Sequence, residues 1–197
     1  MALQMYRYKL LRDSGRAPCI DKGLVSLATC KASLRRNNNV KLGHWVAGFV
    51  QSSRGLYGRL VYAGRISEKL PVGDYEEKYS GRRDAIYRKG DGGELYSLKP
   101  QYHPDKNQQD SDKSGYVFVF DTSSTWYFGA SAPTLPPHLL DLAPSARDYN
   151  VHGATPHQIE AFGDWLRKSW EPGIHGAPRD AEGASCTSHQ KLRTGVC

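Results

Sequence analysis

Four groups of residues in this chain have side-chain types and spacings that could do chemistry. The first is the segment "RDSGRAP", in which Arg12, Asp13 and Arg16 surround a glycine turn. An arginine fork suits a phosphate or the edge of a base, and a neighbouring aspartate can orient the guanidinium or accept a hydrogen bond from a substrate. An aspartate-capped turn with exposed arginines is the simpler interpretation of the same residues.

The second group is the cationic segment "CKASLRR", which lies between two predicted strands. Lys31, Arg35 and Arg36 place three cations within six residues, as a loop that contacts phosphates would require. A solvated surface loop explains the same pattern. Cys30 precedes these cations, and no histidine is near it in the sequence to lower the pKa of its thiol, so we interpret it as a small core residue.

The third group is the polar segment "HPDKNQQDSD", which has the spacing H-x-D-x4-D-x-D. Such a set could bind a hard cation or hold a general base, although Asp-rich and Asn-rich loops are also common for turn reasons alone. We select His103 and Asp112, together with Asp13, as candidate catalytic residues. We predict neither a metal ion nor a cofactor, because the four cysteines lack zinc spacing and no glycine-rich phosphate loop is present.

The string "HPDKN" within this segment also occurs in the loop of J-domain co-chaperones, where it joins two helices. Here Pro100 and several glycines precede the string, and an aromatic, β-branched run follows it. Since neither flank predicts a long amphipathic helix, we interpret the match as coincidence.

The fourth group is aromatic: Trp126, Tyr127 and Phe128 precede a glycine, and Trp45 lies on an earlier predicted strand. Bases stack on such side chains in pockets that accept a flipped nucleotide, although most aromatic residues of a hairpin belong to the core. Strand alternation places Trp126 and Phe128 on one face and Tyr127 on the other. The candidate nucleic-acid contacts are therefore three aromatic residues and five cations: Trp45, Trp126, Tyr127, Arg12, Arg16, Lys31, Arg35 and Arg36.

Several short strands and one C-terminal helix must position these groups. Strands are predicted at "MYRYKLL", "GLVSLATC", "HWVAGFV" and "GRLVYAGRIS", and "SGYVFVFDTSSTWYFGAS" predicts a hairpin. A short helix is predicted near Tyr75–Tyr79. A longer amphipathic helix is predicted to start at Pro156, with Thr155 as its N-cap. The pattern indicates an α+β fold, a small mixed or antiparallel β-barrel of the PUA-like kind with packed helices.

Length and charge suggest one domain with an anionic partner. We predict a single domain over residues 1–178 and a flexible tail over residues 179–197. Residues 1–65 carry 12 Lys or Arg and only two acidic side chains, whereas the remaining residues carry 15 basic and 18 acidic side chains. A basic segment of this kind favours a polyanion, since neutralising phosphates releases counterions. With no membrane-length apolar run and a charged N-terminus, a cytoplasmic protein is predicted.

Taken in order, these segments resemble a known family. "YKLLRDSGRAP", "LATCKASLRR", "GHWVAGF", "LVYAGRISEKL", the His and Asp residues of 103–112, "WYFG" followed by "LP", and "GIHGAPR" are similar to the second type of nucleotide-modification-associated domain. The similarity extends from Tyr6 to Pro178. One departure is that His44 stands between Gly43 and Trp45, where the family pattern has Asp.

The resemblance implies a connection with systems that make, read or remove modified DNA bases in bacteria and phages. A fold-level similarity to the barrels of PUA-like, EVE and ASCH proteins points the same way. We therefore expect the partner to be DNA or a nucleotide that carries a modified base, recognised in a basic, aromatic-lined pocket. An enzyme acting on modified bases, such as a glycosylase or transferase, is the alternative. A protein-interaction module of a phage-defence system is a second alternative, and the oligomeric state is left open.

Overall fold

The structure is a computed structural model that describes residues 3–51, 57–145, 149 and 154–181. Within these ranges the chain forms nine strands and four α-helices, joined by loops and short 3-10 turns. In chain order they are β1 (Met5–Leu10), β2 (Cys19–Asp21), β3 (Leu24–Leu27), α1 (Ala32–Arg36), β4 (Trp45–Val50), β5 (Leu60–Pro71), α2 (Val72–Lys78), β6 (Tyr87–Lys89), β7 (Leu95–Ser97), α3 (Lys106–Lys113), β8 (Tyr116–Tyr127), α4 (Pro156–Ser169) and β9 (Gly173–Ile174).

Seven of the described strands form one sheet, and the other two form a separate hairpin. The sheet has the order β1-β4-β5-β8-β3-β2 with β9 beside β8, and the hairpin pairs β6 with β7. β1 runs parallel to β4, and β9 runs parallel to β8, while the other pairs in the sheet are antiparallel. The α+β class is confirmed. The predicted barrel is not, because the sheet is open and β1 and β2 lie at its two ends.

The sheet stays open because both of its faces are covered by other layers. Every residue of β1 and β4 is buried, whichever face its side chain is on. Tyr8 packs with Leu34 on one face, and Phe49 packs with Phe162 of α4 on the other. A sheet that buries both faces against neighbouring layers need not close on itself to hide apolar surface.

The predicted hairpin at residues 114–131 is instead one long strand with a bulge. Ile66 of β5 pairs with Phe120 and Gly64 pairs with Thr125, so four residues of β8 stand opposite one residue of β5. The Asp121 carboxylate accepts hydrogen bonds from the hydroxyls of two nearby serines and closes this bulge locally. The segment "DTSS" therefore forms a bulge and not a hairpin turn, and β8 pairs with β5 on both sides of it.

The predicted C-terminal helix is confirmed as α4. The Thr155 hydroxyl accepts a hydrogen bond from the Gln158 N–H, and the Gln158 side chain accepts one from the Thr155 N–H, which completes a capping box. The polar segment that contains "HPDKN" forms the short helix α3, and Asp105 is its N-cap, accepting from two backbone N–H groups. The helices in the described parts of the chain are all too short or too polar to cross a membrane.

Candidate functional site

Asp13 is the centre of a buried polar cluster at the end of β1. Its side chain is 1 % exposed, and the hydroxyl of Tyr127 lies 2.6 Å from Oδ1 and 2.8 Å from Oδ2. The backbone N–H of Arg179 donates to Oδ2 at 3.2 Å. The Asp13 backbone also exchanges two hydrogen bonds with Asp180. Three distant parts of the chain therefore meet at this one aspartate.

The pKa values of Asp13 and Tyr127 are both raised above their ordinary values. Burial raises the pKa of Asp13, while the hydrogen bonds from Tyr127 and from the Arg179 backbone act in the opposite direction. Burial also raises the pKa of Tyr127, and the charge of Asp13 raises it further. The phenol therefore stays protonated and acts as the donor, and Asp13 is the acceptor.

A second buried pair, Tyr8 with Tyr62, lies on the same face of the sheet. The two hydroxyl oxygens are 2.7 Å apart and both side chains are fully buried. The ammonium of Lys31 lies 4.6 Å from the centre of the Tyr8 ring and donates to the carbonyl of Lys9. Burial and Tyr62 raise the pKa of Tyr8, and the charge of Asp13 contributes to the same rise. Tyr8 is therefore within electrostatic reach of Asp13.

Asp112 is the centre of a third polar cluster, which contains three residues predicted from the sequence. Its Oδ2 lies 2.7 Å from Nδ1 of His103, and its Oδ1 accepts from the Cys30 N–H at 2.8 Å and from the Arg35 guanidinium at 3.3 Å. Arg35 is fully buried and also donates to the carbonyls of Cys30, Asp112 and Tyr116. The guanidinium therefore faces the interior, where the phosphate contact predicted for Arg35 has no open path.

This cluster holds a strained turn. Cys30 and Lys31 have φ values of 57° and 47°, the left-handed region that costs a non-glycine residue about 1 kcal/mol or more. Asp112 binds the N–H of Cys30, and Arg35 binds its carbonyl, so both sides of the turn are tied to a buried ion pair. Arg35 and Asp112 thereby position Lys31 over Tyr8.

The two tryptophans lie in the core on the opposite face of the sheet. The rings of Trp45 and Trp126 stack at 6.2 Å, and Phe162 of α4 meets Trp45 edge-on. Trp126 donates to the carbonyl of Trp170 and is fully buried. Neither tryptophan presents an open ring face, so the predicted stacking of a base on them is not possible without rearrangement. Trp126 and Phe128 do share one face and Tyr127 takes the other, as alternation predicts.

The remaining predicted cations are closer to the surface. Arg12, Arg16 and Lys31 are half-buried and Arg36 is exposed. Arg179 and Asp180, which we predicted to lie in a flexible tail, are instead bonded to Asp13. The rest of that predicted tail, residues 182–197, lies outside the described residues.

A cavity of about 300 Å³ lies beside the turn formed by residues 12–16, which we call the Asp13 turn. Arg16 belongs to its wall, and the charge of Arg83, another wall residue, acts on Tyr127. Most of the wall residues could not be predicted from the sequence, because they come from segments without a recognisable motif. The lining residues are Arg16, Cys19, Arg83, Asp84, Lys99, Gln101 and Tyr102.

In the described ranges, no group of three or more His, Cys, Asp or Glu side chains is placed to hold a metal ion.

Comparison with known proteins gives one match. No curated protein and no solved structure matches the chain. The model of the family described as nucleotide modification associated domain 2 matches residues 2–185. Because this match covers nearly the whole chain, the protein belongs to the nucleotide modification associated domain 2 family and has a role linked to modified nucleotides.

Proposed function

We propose that this protein recognises a modified base, in bacterial or phage DNA or as a nucleotide, and that the Asp13 turn reads the base. The observation that carries this proposal is the buried Asp13–Tyr127 hydrogen bond, which fixes the turn between the half-buried Arg12 and Arg16. Two guanidinium groups held on either side of a fixed turn are donors that could read the edge of a base. Membership of the family supports the link to modified nucleotides.

Different residues would carry affinity and discrimination. Arg36 is exposed and is placed to contact a phosphate, which supplies affinity independent of sequence. Lys31 is half-buried and would have to exchange its hydrogen bond to the Lys9 carbonyl for a phosphate contact. Arg12 and Arg16 would contact the base edge, whose hydrogen-bonding groups change with the modification. The buried Asp13 and Tyr127 would affect discrimination by holding these arginines in position.

Recognition requires no nucleophile, and the buried Cys19 does not supply an activated one. Burial raises the pKa of Cys19 to about 12, so its thiol stays neutral.

The experiment that tests this proposal follows binding and chemistry on the same samples. The purified protein is incubated with phage DNAs that carry different base modifications, with unmodified DNA as the control. Tighter binding to one modified DNA with unchanged nucleoside composition is the expected result. Equal binding to modified and unmodified DNA would overturn the proposal.

A second candidate function, an enzyme acting on modified bases, is favoured by one observation. Burial raises the pKa of Asp13, and a carboxyl that can take up a proton nearer neutral pH suits general acid or base catalysis. His103 and Asp112 are weaker candidates, since Asp112 already binds His103, Arg35 and the Cys30 backbone. Loss or alteration of one nucleoside in the experiment above, abolished by Asp13→Asn, would favour this function over recognition.

A further inference from the structure

The cavity beyond the Asp13 turn lies next to the edge strand β2 and has a cationic wall. Among its described lining residues, Arg16, Arg83 and Lys99 are cations and Asp84 is the only anion. Asp84 accepts hydrogen bonds from the hydroxyls of Ser26 and Tyr75, and lies 3.4 Å from the guanidinium of Arg82. Because Arg82 balances the charge of Asp84, the cavity has an excess of positive charge. Such an excess favours an anionic ligand.

Arg83 is held in place largely by groups that leave its charge intact. Its Nη2 donates to the backbone carbonyls of Gly15 and Ile20. The nearest carboxylate, that of Asp21, lies 4.0 Å from Nε and the Arg83 side chain is 55 % exposed, so this ion pair is weak. Backbone carbonyls orient a guanidinium without carrying a net charge of their own. Arg83 is therefore pre-oriented and still able to bind an anion.

Lys99 brings a second cation to the same wall. Its ammonium lies 3.5 Å from the backbone carbonyl of Arg83 and forms no salt bridge with the residues that the structure describes. Both cations belong to the lining of the cavity, and a phosphate bound there could accept hydrogen bonds from both.

The guanidinium of Arg16 lies over the ring of Tyr102, and this pair forms a stacked layer in the wall of the cavity. The Arg16 guanidinium carbon lies 4.8 Å from the centre of the Tyr102 ring. Unpaired bases stack on aromatic rings and on guanidinium planes. Gln101 is exposed at the rim, and its amide can both donate to and accept from a base edge.

The size of the cavity limits what can enter it. A volume of about 300 Å³ lies at the lower end of the range for small-molecule sites. Such a space holds one nucleotide and excludes a stacked duplex, so a base in DNA would reach it only when extruded from the helix.

We propose that this cavity binds a single nucleotide, with its phosphate between Arg83 and Lys99 and its base against the Arg16–Tyr102 layer. The proposal deepens the proposed function and rests on it, since it names the ligand as one extruded or free nucleotide. It also gives binding roles to Arg83, Lys99 and Tyr102, which are not among the site residues predicted from the sequence.

Calorimetric titration of the full chain tests the proposal. The probes are the four common deoxynucleoside 5′-monophosphates, 5-hydroxymethyl-dCMP and the matching nucleosides without phosphate. We expect at least one monophosphate to bind tenfold or more tightly than its nucleoside. Lys99→Glu should remove most of that difference and Lys99→Gln part of it, while Lys168→Glu on the exposed surface of α4 should leave it unchanged.

The outcomes separate this inference from the proposed function. Monophosphates that bind no better than nucleosides, or equal loss in Lys99→Glu and Lys168→Glu, would overturn the cavity proposal. Preference for modified DNA that survives Lys99→Glu would overturn the cavity proposal and leave the proposed function standing. Monophosphate binding that depends on Lys99, without any preference for modified DNA, would support the cavity and overturn the proposed function.

Discussion

The hydroxyl of Tyr127, at the end of β8, lies 2.6 and 2.8 Å from the two carboxylate oxygens of Asp13, 114 residues earlier in the chain. Tyr127 and Asp13 are both almost fully buried, so this hydrogen bond is the main compensation that the side chains of the cluster give to a carboxylate removed from water. Because the bond joins the central strand β8 to the turn after β1, it sets the position of the arginines on either side of Asp13.

Replacing Tyr127 with Phe should therefore destabilise the fold and weaken recognition together. The change removes the hydroxyl and leaves a buried acceptor without its strongest partner, which costs about 2 kcal/mol. Urea denaturation measures the free energy of unfolding, and binding to modified and unmodified DNA measures discrimination. Tyr79→Phe is a matched control, since its hydroxyl bonds Glu68 in a half-buried position on another part of the chain. A Tyr127→Phe protein as stable as the wild type would contradict the role of this bond.

Asp13 should make stability fall as pH rises from the acidic side. Burial raises the pKa of Asp13 in the folded state above the ordinary value of 3.8. Below that value both states are protonated. As pH rises from 3.8 through the folded pKa, the unfolded chain loses its proton first, so unfolding becomes more favourable.

The measurement for this prediction is the difference between two proteins. Urea denaturation of wild type and Asp13→Asn across pH 3 to 8 subtracts the contributions of Glu68 and Asp121, whose lowered pKa values act in the opposite direction. The stability of the wild type relative to the variant should decline with rising pH. A relative stability that rises over this range would mean that the pKa of Asp13 is lowered by its partners.

Arg35 and Arg36 are neighbours in sequence but should respond oppositely to substitution. Arg35→Ala removes the guanidinium paired with the buried Asp112, leaving that carboxylate with His103 and the Cys30 N–H, and should cost about 3 kcal/mol of stability. Arg36→Ala removes an exposed side chain and should change stability by less than about 0.5 kcal/mol. Thermal and urea unfolding measure the loss of stability in each variant. Equal losses would be inconsistent with a buried ion pair between Arg35 and Asp112.

Arg36 should instead influence the salt dependence of DNA binding. If its exposed guanidinium contacts a phosphate, Arg36→Ala lowers the slope of log affinity against log salt concentration by about 1, whatever the base. Binding isotherms at several salt concentrations measure this slope, with Lys168→Ala on α4 as the charge-matched control. An unchanged slope would show that Arg36 makes no phosphate contact.

Gly129 should be sensitive to substitution because the segment that carries Arg179 packs against it. A Cβ at Gly129 would lie 2.1 Å from the backbone carbonyl oxygen of Ala177, and its φ of +55° is unfavourable for other residues. Gly129→Ala should therefore move residues 177–180 away from Asp13, lowering both stability and discrimination between bases.

Gly23→Ala is the control that separates the steric clash with Ala177 from the effect of a positive φ. Its φ is +73°, but a Cβ there meets nothing within 4 Å. Thermal unfolding should show a loss of about 1 kcal/mol for Gly23→Ala, from the backbone alone, and a larger loss for Gly129→Ala. Equal losses would mean that the 177–180 segment adapts without cost.

The sequence by itself determined those features whose physical cause is local. The apolar runs predict β1, β4 and β5, and the capping residues around Thr155 predict α4, because strand alternation and helix caps depend on near neighbours. The ordered motifs also sufficed to identify the family. Alternation along β8 correctly separated Tyr127 from Trp126, although it could not say which layer covers each face.

Only the tertiary structure decided which polar residues meet. Arg35 and Arg36 look equivalent in sequence, yet one is sealed against Asp112, 77 residues away, and the other is exposed. The open sheet, the contact of Arg179 with Asp13 across 166 residues, and the cavity beside Tyr102 depend on how distant segments pack. A buried charge needs a partner, but nothing local in the chain says which distant residue provides it.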